Sequence, residues 1–171
     1  MKVTATELMK QLKYIESEIE DIHNADKNNC TALLQKQNDS KGNQVLVPLY
    51  ESDYDFASNR AKIRELHKEE RKIRNTLSLF NAKTKVDGND FTISEGLVRI
   101  AELKSEISVL AGLASRTQFN TKTSYQEVHV IKTLYNVEEA KEVLRAYQRE
   151  LSALQVAIDK TNLNSEIEFD W

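Results

Sequence analysis

With 171 residues, of which 30% are charged, 40% hydrophobic and only 7% aromatic, and with four glycines and one proline, the chain suits one domain of long helices and disfavours a turn-rich sandwich or barrel. A net charge of −3 gives no whole-molecule attraction for nucleic acid or an anionic membrane. The amino terminus MKVTATELMKQLKYIE has no continuous apolar signal region, no stretch approaches the roughly 18 apolar residues of a membrane span, and Cys30 is alone, so the expectation is a soluble, cytoplasmic protein with no transmembrane segment and no intrachain disulfide.

The expected architecture is mainly α: a single domain over 1–171, built as an elongated antiparallel bundle of about four long heptad-patterned helices with a small β-hairpin or short sheet. The first helix is expected over 4–24. Thr4-Ala5-Thr6-Glu7 fits a capping box, in which hydroxyl and carboxylate satisfy orphan backbone donors, and Leu8, Leu12, Ile15, Ile19 and Ile22 form a seam that dissolves from Asn24 to Asn29. Between 31 and 50 the apolar period shortens and Ser40-Lys41-Gly42 offers a turn, which predicts a hairpin. Pro48 lacks an amide donor and places the second strand at an edge.

A second helix is expected over 53–80, with seam positions Phe56, Asn59, Ile63, Leu66, Glu70, Ile73, Leu77 and Phe80. Asn59 and Glu70 are either polar residues that fix register inside the seam or residues at its solvent edge; the rarity of buried Glu favours the edge. Asp87-Gly88 marks a turn, and Thr92-Ile93-Ser94-Glu95 is a second capping box that opens a helix over 92–115. Leu97, Ile100, Leu103, Ile107 and Leu110 are expected inward, and Val98, Val109 and Leu113 widen its apolar surface, so it is expected at the centre of the bundle. The run SYQEVHVIK predicts a strand over 124–133, with Val128 and Val130 inward, His129 outward and the earlier hairpin as a possible pairing partner. Asn136 with Glu139 caps the last helix, over 136–160, whose apolar stripe runs through Val137, Ala140, Leu144, Tyr147, Leu151, Leu154 and Ile158.

Two stretches carry a resemblance. NAKTKVDGNDFTISEGLVRIAELKSEISVL resembles the Val-Asp-Gly turn, Thr/Glu helix start and following Ile-Ser-x-Leu of the septicolysin-type family of bacterial helical proteins, and VEEAKEVLRAYQRELSALQVAIDKTNLNSEIE is similar to that family's last helix. The likeness spans about half the chain and departs from the family at Asn162-Leu163, where an Asn-Trp pair is expected, and over Cys30 to Tyr50. It implies a mainly helical fold and no established activity, so it assigns no functional residue. The family name implies a cytolysin, hence a membrane-active alternative.

Chemical motifs are sparse. Gly42, Gly88, Gly96 and Gly112 are too scattered for a phosphate-binding loop. Glu20-Asp21-Ile22-His23 has the spacing of a di-iron helix motif but lacks a second copy, and a solvated His23 is the favoured reading. His67 and Glu70 lie one turn apart and could form an acid/base pair, although a surface pair or polar layer is favoured. Cys30 is read as an inert or half-buried thiol. The basic run Arg60, Lys62, Arg64, Lys68, Arg71, Lys72 and Arg74 alternates with Glu65, Glu69 and Glu70. It reads either as a solvated, salt-bridged face or as a phosphate-contacting one. The sequence therefore predicts no catalytic, cofactor or metal site, and a non-catalytic, self-associating scaffold or interaction protein that forms homo-oligomers through helix faces. The alternative is a nucleic-acid-associated protein that uses Arg60 to Arg74.

Overall fold

A computed structural model describes residues 1–124 and 127–170; Tyr125, Gln126 and Trp171 lie outside the described residues, and with them part of the expected strand 124–133 and the tryptophan of the tail. The described chain is mainly helical, with small antiparallel strand pairs: β1 (Lys2–Thr4), α1 (Ala5–Asn29), β2 (Leu34–Asn38), β3 (Gln44–Pro48), α2 (Phe56–Lys83), α3 (Ile93–Ala114), β4 (Phe119–Ser124), β5 (Glu127–Lys132), α4 (Val137–Asn164) and β6 (Glu166–Glu168). Two compact units divide it, one of Met1–Ser78 with Glu168–Trp171, the other of Leu79–Ile167. No described helix is long and apolar enough to cross a membrane.

In the first unit, Thr4 caps α1 from extended backbone. Its Oγ1 accepts from Glu7 N at 3.2 Å, and Glu7 Oε2 accepts in return from Thr4 N at 2.7 Å. Ala5, Leu8, Ile15, Ile19 and Ile22 are buried along one face of α1, and Ile63, Leu66 and Ile73 along α2. Ion pairs link the two helices: Glu16 Oε1 to Arg74 Nη2 at 2.6 Å, Glu18 Oε1 to Lys62 Nζ at 2.6 Å, and Asp26 to Arg60.

The helix does not end at residue 24 as the fading apolar pattern implies. It continues to Asn29 because a polar attachment replaces the stripe: Asp26 Oδ1 accepts from Tyr54 Oη at 3.0 Å and from Asn59 Nδ2 at 2.9 Å, and its Oδ2 pairs with Arg60. The carboxy-terminal segment also returns to this unit. Phe169, only 3% exposed, exchanges backbone hydrogen bonds with Met1 at 2.9 and 2.8 Å, and its ring lies 5.1 Å from Lys72 Nζ.

The β2–β3 hairpin pairs Leu34 with Pro48 through to Asn38 with Gln44. Asp39 builds its turn, accepting through Oδ1 from Lys41 N and Asn43 N at 2.8 Å each, while Gly42 takes the positive φ (82°) that the reversal needs.

In the second unit, Thr92 and Glu95 form the other reciprocal cap, with Thr92 N donating to Glu95 Oε2 at 2.6 Å and Glu95 N to Thr92 Oγ1 at 3.3 Å. The core joins Val86, Ile93, Leu103, Leu154 and Ile158, with Phe80, Phe91, Ile100 and Leu151 packed around it. Helices α3 and α4 approach closely at Gly96, where a Cβ would sit 3.0 Å from Ile158 Cδ1 and 3.2 Å from Phe91 Cε2. The expected end near Lys160 is passed, because Thr161 is buried and employed. Its Oγ1 donates to Ala157 O and accepts from Asp87 N, at 2.9 Å each, and Lys160 pairs with Asp87 at 2.9 Å.

Two expectations fail in this unit. Helix α3 is not central: it buries Ile93, Gly96, Leu103 and Ala114, whereas Val98 and Val109 are each 59% exposed and Leu97, expected inward, is exposed as well. The strand expected over 124–133 is half of a separate hairpin, β4–β5, and pairs with Phe119–Ser124 rather than with β2–β3. Threonines at alternate positions, poor in hydrophobicity but β-branched, make β4 a strand.

The acid response follows from the caps. Glu7 and Glu95 are held below the ordinary carboxylate range first by the backbone donors of Thr4 and Thr92, and Glu70 by its hydrogen bond from His67. These carboxylates, depressed in the fold, stabilise it above their unfolded values near 4.5, and that contribution is lost as pH falls through the lower folded values. Thermal melts should therefore drop as pH falls below the ordinary carboxylate range. Glu95→Gln retains the cap geometry without the ionisation, so its melting temperature should fall less between neutrality and pH 3 than that of the parent. Identical slopes would refute the assignment.

Candidate interaction surface

The residues singled out from sequence are placed differently from one another. His67 and Glu70 do meet, His67 Nδ1 to Glu70 Oε2 at 2.9 Å, but Arg74 Nε also donates to Glu70 Oε1 at 2.8 Å. Glu70 is thereby held ionised as a structural acceptor, half-buried beside Ile73. Asn59 is also half-buried, as a donor to Asp26. Glu20 and His23 are exposed on α1. Cys30 is exposed as well, not half-buried, because it caps the carboxyl end of α1.

The basic run of α2 is largely spent within its own unit. Arg60 pairs with Asp26 and lies over the Phe56 ring at 5.4 Å, Lys62 pairs with Glu18, Lys68 with Glu65 at 3.6 Å, Arg74 with Glu16 and Glu70, and Lys72 donates to Asp170 O. Arg64 and Arg71 are exposed. Asp26 is the hub of the cluster. Replacing it by alanine strands the Arg60 guanidinium, whose side chain is 31% exposed, and removes the acceptor of Tyr54 and Asn59. A loss of about 3 kcal/mol is expected, at the lower edge of the range of about 3–5 kcal/mol for a buried pair, because Arg60 Nε and Nη2 are buried although the side chain as a whole is 31% exposed. Urea denaturation measures it.

The surface that the structure sets apart is the β4–β5 ribbon, which the sequence reading took as one inward-facing strand. Paired residues of an antiparallel ribbon share a face and successive pairs alternate. The register pairs Phe119 with Lys132, Thr121 with Val130 and Thr123 with Val128 on one face, and Asn120 with Ile131 and Lys122 with His129 on the other. The first face is apolar and β-branched, yet Phe119, Val128 and Val130 are 59%, 67% and 66% exposed. His129 is exposed as expected, but Val128 and Val130, expected on the covered side, are exposed too.

The base of the ribbon is pinned. Gln118 Nε2 donates to Thr133 O at 2.9 Å and Tyr135 O at 3.1 Å while its Oε1 accepts from Val137 N at 3.3 Å; Thr133 Oγ1 donates to Thr117 O at 2.8 Å; Tyr135 Oη donates to Leu113 O at 2.7 Å. These bonds tie the ribbon to the last turn of α3 and the first of α4. Gln118, Thr133 and Tyr135 were missed from sequence, because their partners are backbone groups that no side-chain pattern marks.

Comparison with known proteins bears on the fold alone. No known family profile matches the chain, and no curated protein matches it. A solved structure, that of a functionally unknown conserved protein from Corynebacterium diphtheriae, is similar over 98% of this chain and 100% of that one, with a TM-score of 0.72 and 14% sequence identity. The likeness shows a shared fold.

Proposed function

We propose that the protein is a non-catalytic, self-associating helical scaffold or interaction protein, resident in the cytoplasm. One observation carries the reading: a rigidly anchored ribbon holds an apolar face in solvent. A lone two-stranded ribbon is marginal in water and gains stability only when its apolar side is covered. Light scattering coupled to size exclusion tests the proposal. Concentration-dependent growth in mass is expected, and a strictly monomeric species up to several hundred micromolar would count decisively against it.

Binding of nucleic acid through Arg60 to Arg74 is the weaker reading, since most of those cations already have partners; a salt-sensitive titration with duplex and single-stranded probes would revive it. A membrane-active role meets a length problem: β4 and β5 have six residues each, against the roughly 9–11 that a membrane-spanning strand requires. Kinship with septicolysin-type proteins remains a proposal that rests on the two sequence stretches quoted above, and a profile built from that family would test it.

A further inference from the structure

We infer that the β4–β5 ribbon docks on the same ribbon of a second copy of this chain, apolar face against apolar face, around a two-fold axis passing between the Thr121–Val130 pairs. The inference rests on the self-association proposed above and specifies its surface.

The face is self-complementary in charge. Lys132 is the one charged side chain that the register places on it among the described residues, at the open end of the ribbon. Lys132 stands two residues from Val130, so at about 3.3 Å per residue its two copies lie roughly 13 Å apart along the ribbon when the axis crosses the strands at right angles. Stacking about that perpendicular axis sends the two Lys132 ammonium groups to opposite ends, beyond the screening length of about 8 Å at physiological salt. Stacking with the ribbons in the same direction would bring them together.

The face is also self-complementary in size. Its middle pair is Thr121–Val130, its open end carries Phe119, and its far end carries the smaller Thr123 and Val128. A two-fold axis through the middle pair lays each Phe119 over the partner's small end, large against small, as interdigitating layers require. Pinning by Gln118 and Tyr135 means that little conformational freedom is lost on docking. About six side chains per copy is far fewer than the 20–30 residues a side of a standard interface, so the dimer is weak and reversible.

The test uses the full chain with Cys30→Ser, because that exposed thiol would confuse the readout. Val130→Cys lies next to the proposed axis, and because faces stacked about 10 Å apart exceed the reach of a disulfide, a bis-maleimide of matching span should link it into a dimer, whereas Ile131→Cys, on the opposite face, should not be linked. Equal cross-linking of the two, or none by Val130→Cys, overturns the geometry.

Independently, the double variant Val128→Lys, Val130→Lys should weaken self-association at least tenfold in sedimentation equilibrium, with far-UV circular dichroism and melting unchanged, since both residues are already exposed. If the parent associates and this variant associates equally well, the ribbon is the wrong surface while self-association stands. A parent that never associates removes both. Unchanged association combined with loss of binding to phosphatidylcholine–phosphatidylglycerol vesicles would assign the face to lipid and overturn the inference.

Discussion

Leu103→Ala is expected to lower the unfolding free energy of the second unit by about 2–5 kcal/mol, the range for a buried leucine whose surroundings relax only partly into the space left. Leu103 is fully buried and belongs to the core with Val86, Ile93, Leu154 and Ile158, so its truncation loosens the seam between α3 and α4. Two companions give the result its meaning. Leu103→Met nearly conserves volume and should cost less than about 1.5 kcal/mol. Leu97→Ala, on the same helix but 44% exposed, should stay within about 0.5 kcal/mol of the parent. Urea denaturation followed by helical circular dichroism measures all three, and a silent Leu103→Ala would mean that α3 does not pack on α4 through this face.

Phe169→Ala should cost about 3–5 kcal/mol in the first unit, as for other buried aromatic truncations. The ring is almost wholly buried, the backbone on either side of it is tied to Met1, and Lys72 approaches the ring face. Lys72→Met separates the contributions. It keeps an unbranched apolar stem and removes the cation, for which about 0.5–1 kcal/mol is expected at an exposed site. Amide hydrogen exchange at Val3 and in the first turn of α1 should accelerate in Phe169→Ala and hardly change in Lys72→Met. Unaltered exchange in both would show that the returning segment is not part of this unit's core.

The starts of α1, α3 and α4 were legible because a cap is a local event: Thr4 and Thr92 each need only the glutamate three residues on, and Asn136 needs only the next turn's amides, whereas α2, expected from 53, starts at Phe56, where Asp55 Oδ1 accepts from Ser58 N. The end of α3, expected at 115, falls at Ala114, but the ends of α1 and α4 were not legible. Asp26 and Thr161 extend their helices through partners 28 to 34 and 74 positions away, so the fading of an apolar stripe misstated where the helix stops. The second hairpin was half-legible. Val128 and Val130 gave the alternation of one strand, but Thr121 and Thr123 carried too little hydrophobicity to announce the other. The candidate surface was hidden for a further reason: alternation says which residues share a face, and only the fold says whether that face is covered. Burial expected for Val98, Val109 and Val128 failed on that point.

The hydrogen bonds at the ribbon's base separate two tasks, holding the ribbon and filling the core, between different residues. Gln118, Thr133 and Tyr135 hold the ribbon through backbone carbonyls and amides, whose chemistry does not depend on neighbouring side chains, and the helical core lies elsewhere among Leu103, Leu154 and Ile158. Substitutions at the outward positions can therefore retune what the ribbon meets without taxing the interior. Such a layout makes the ribbon a natural place to graft a new recognition sequence onto this scaffold.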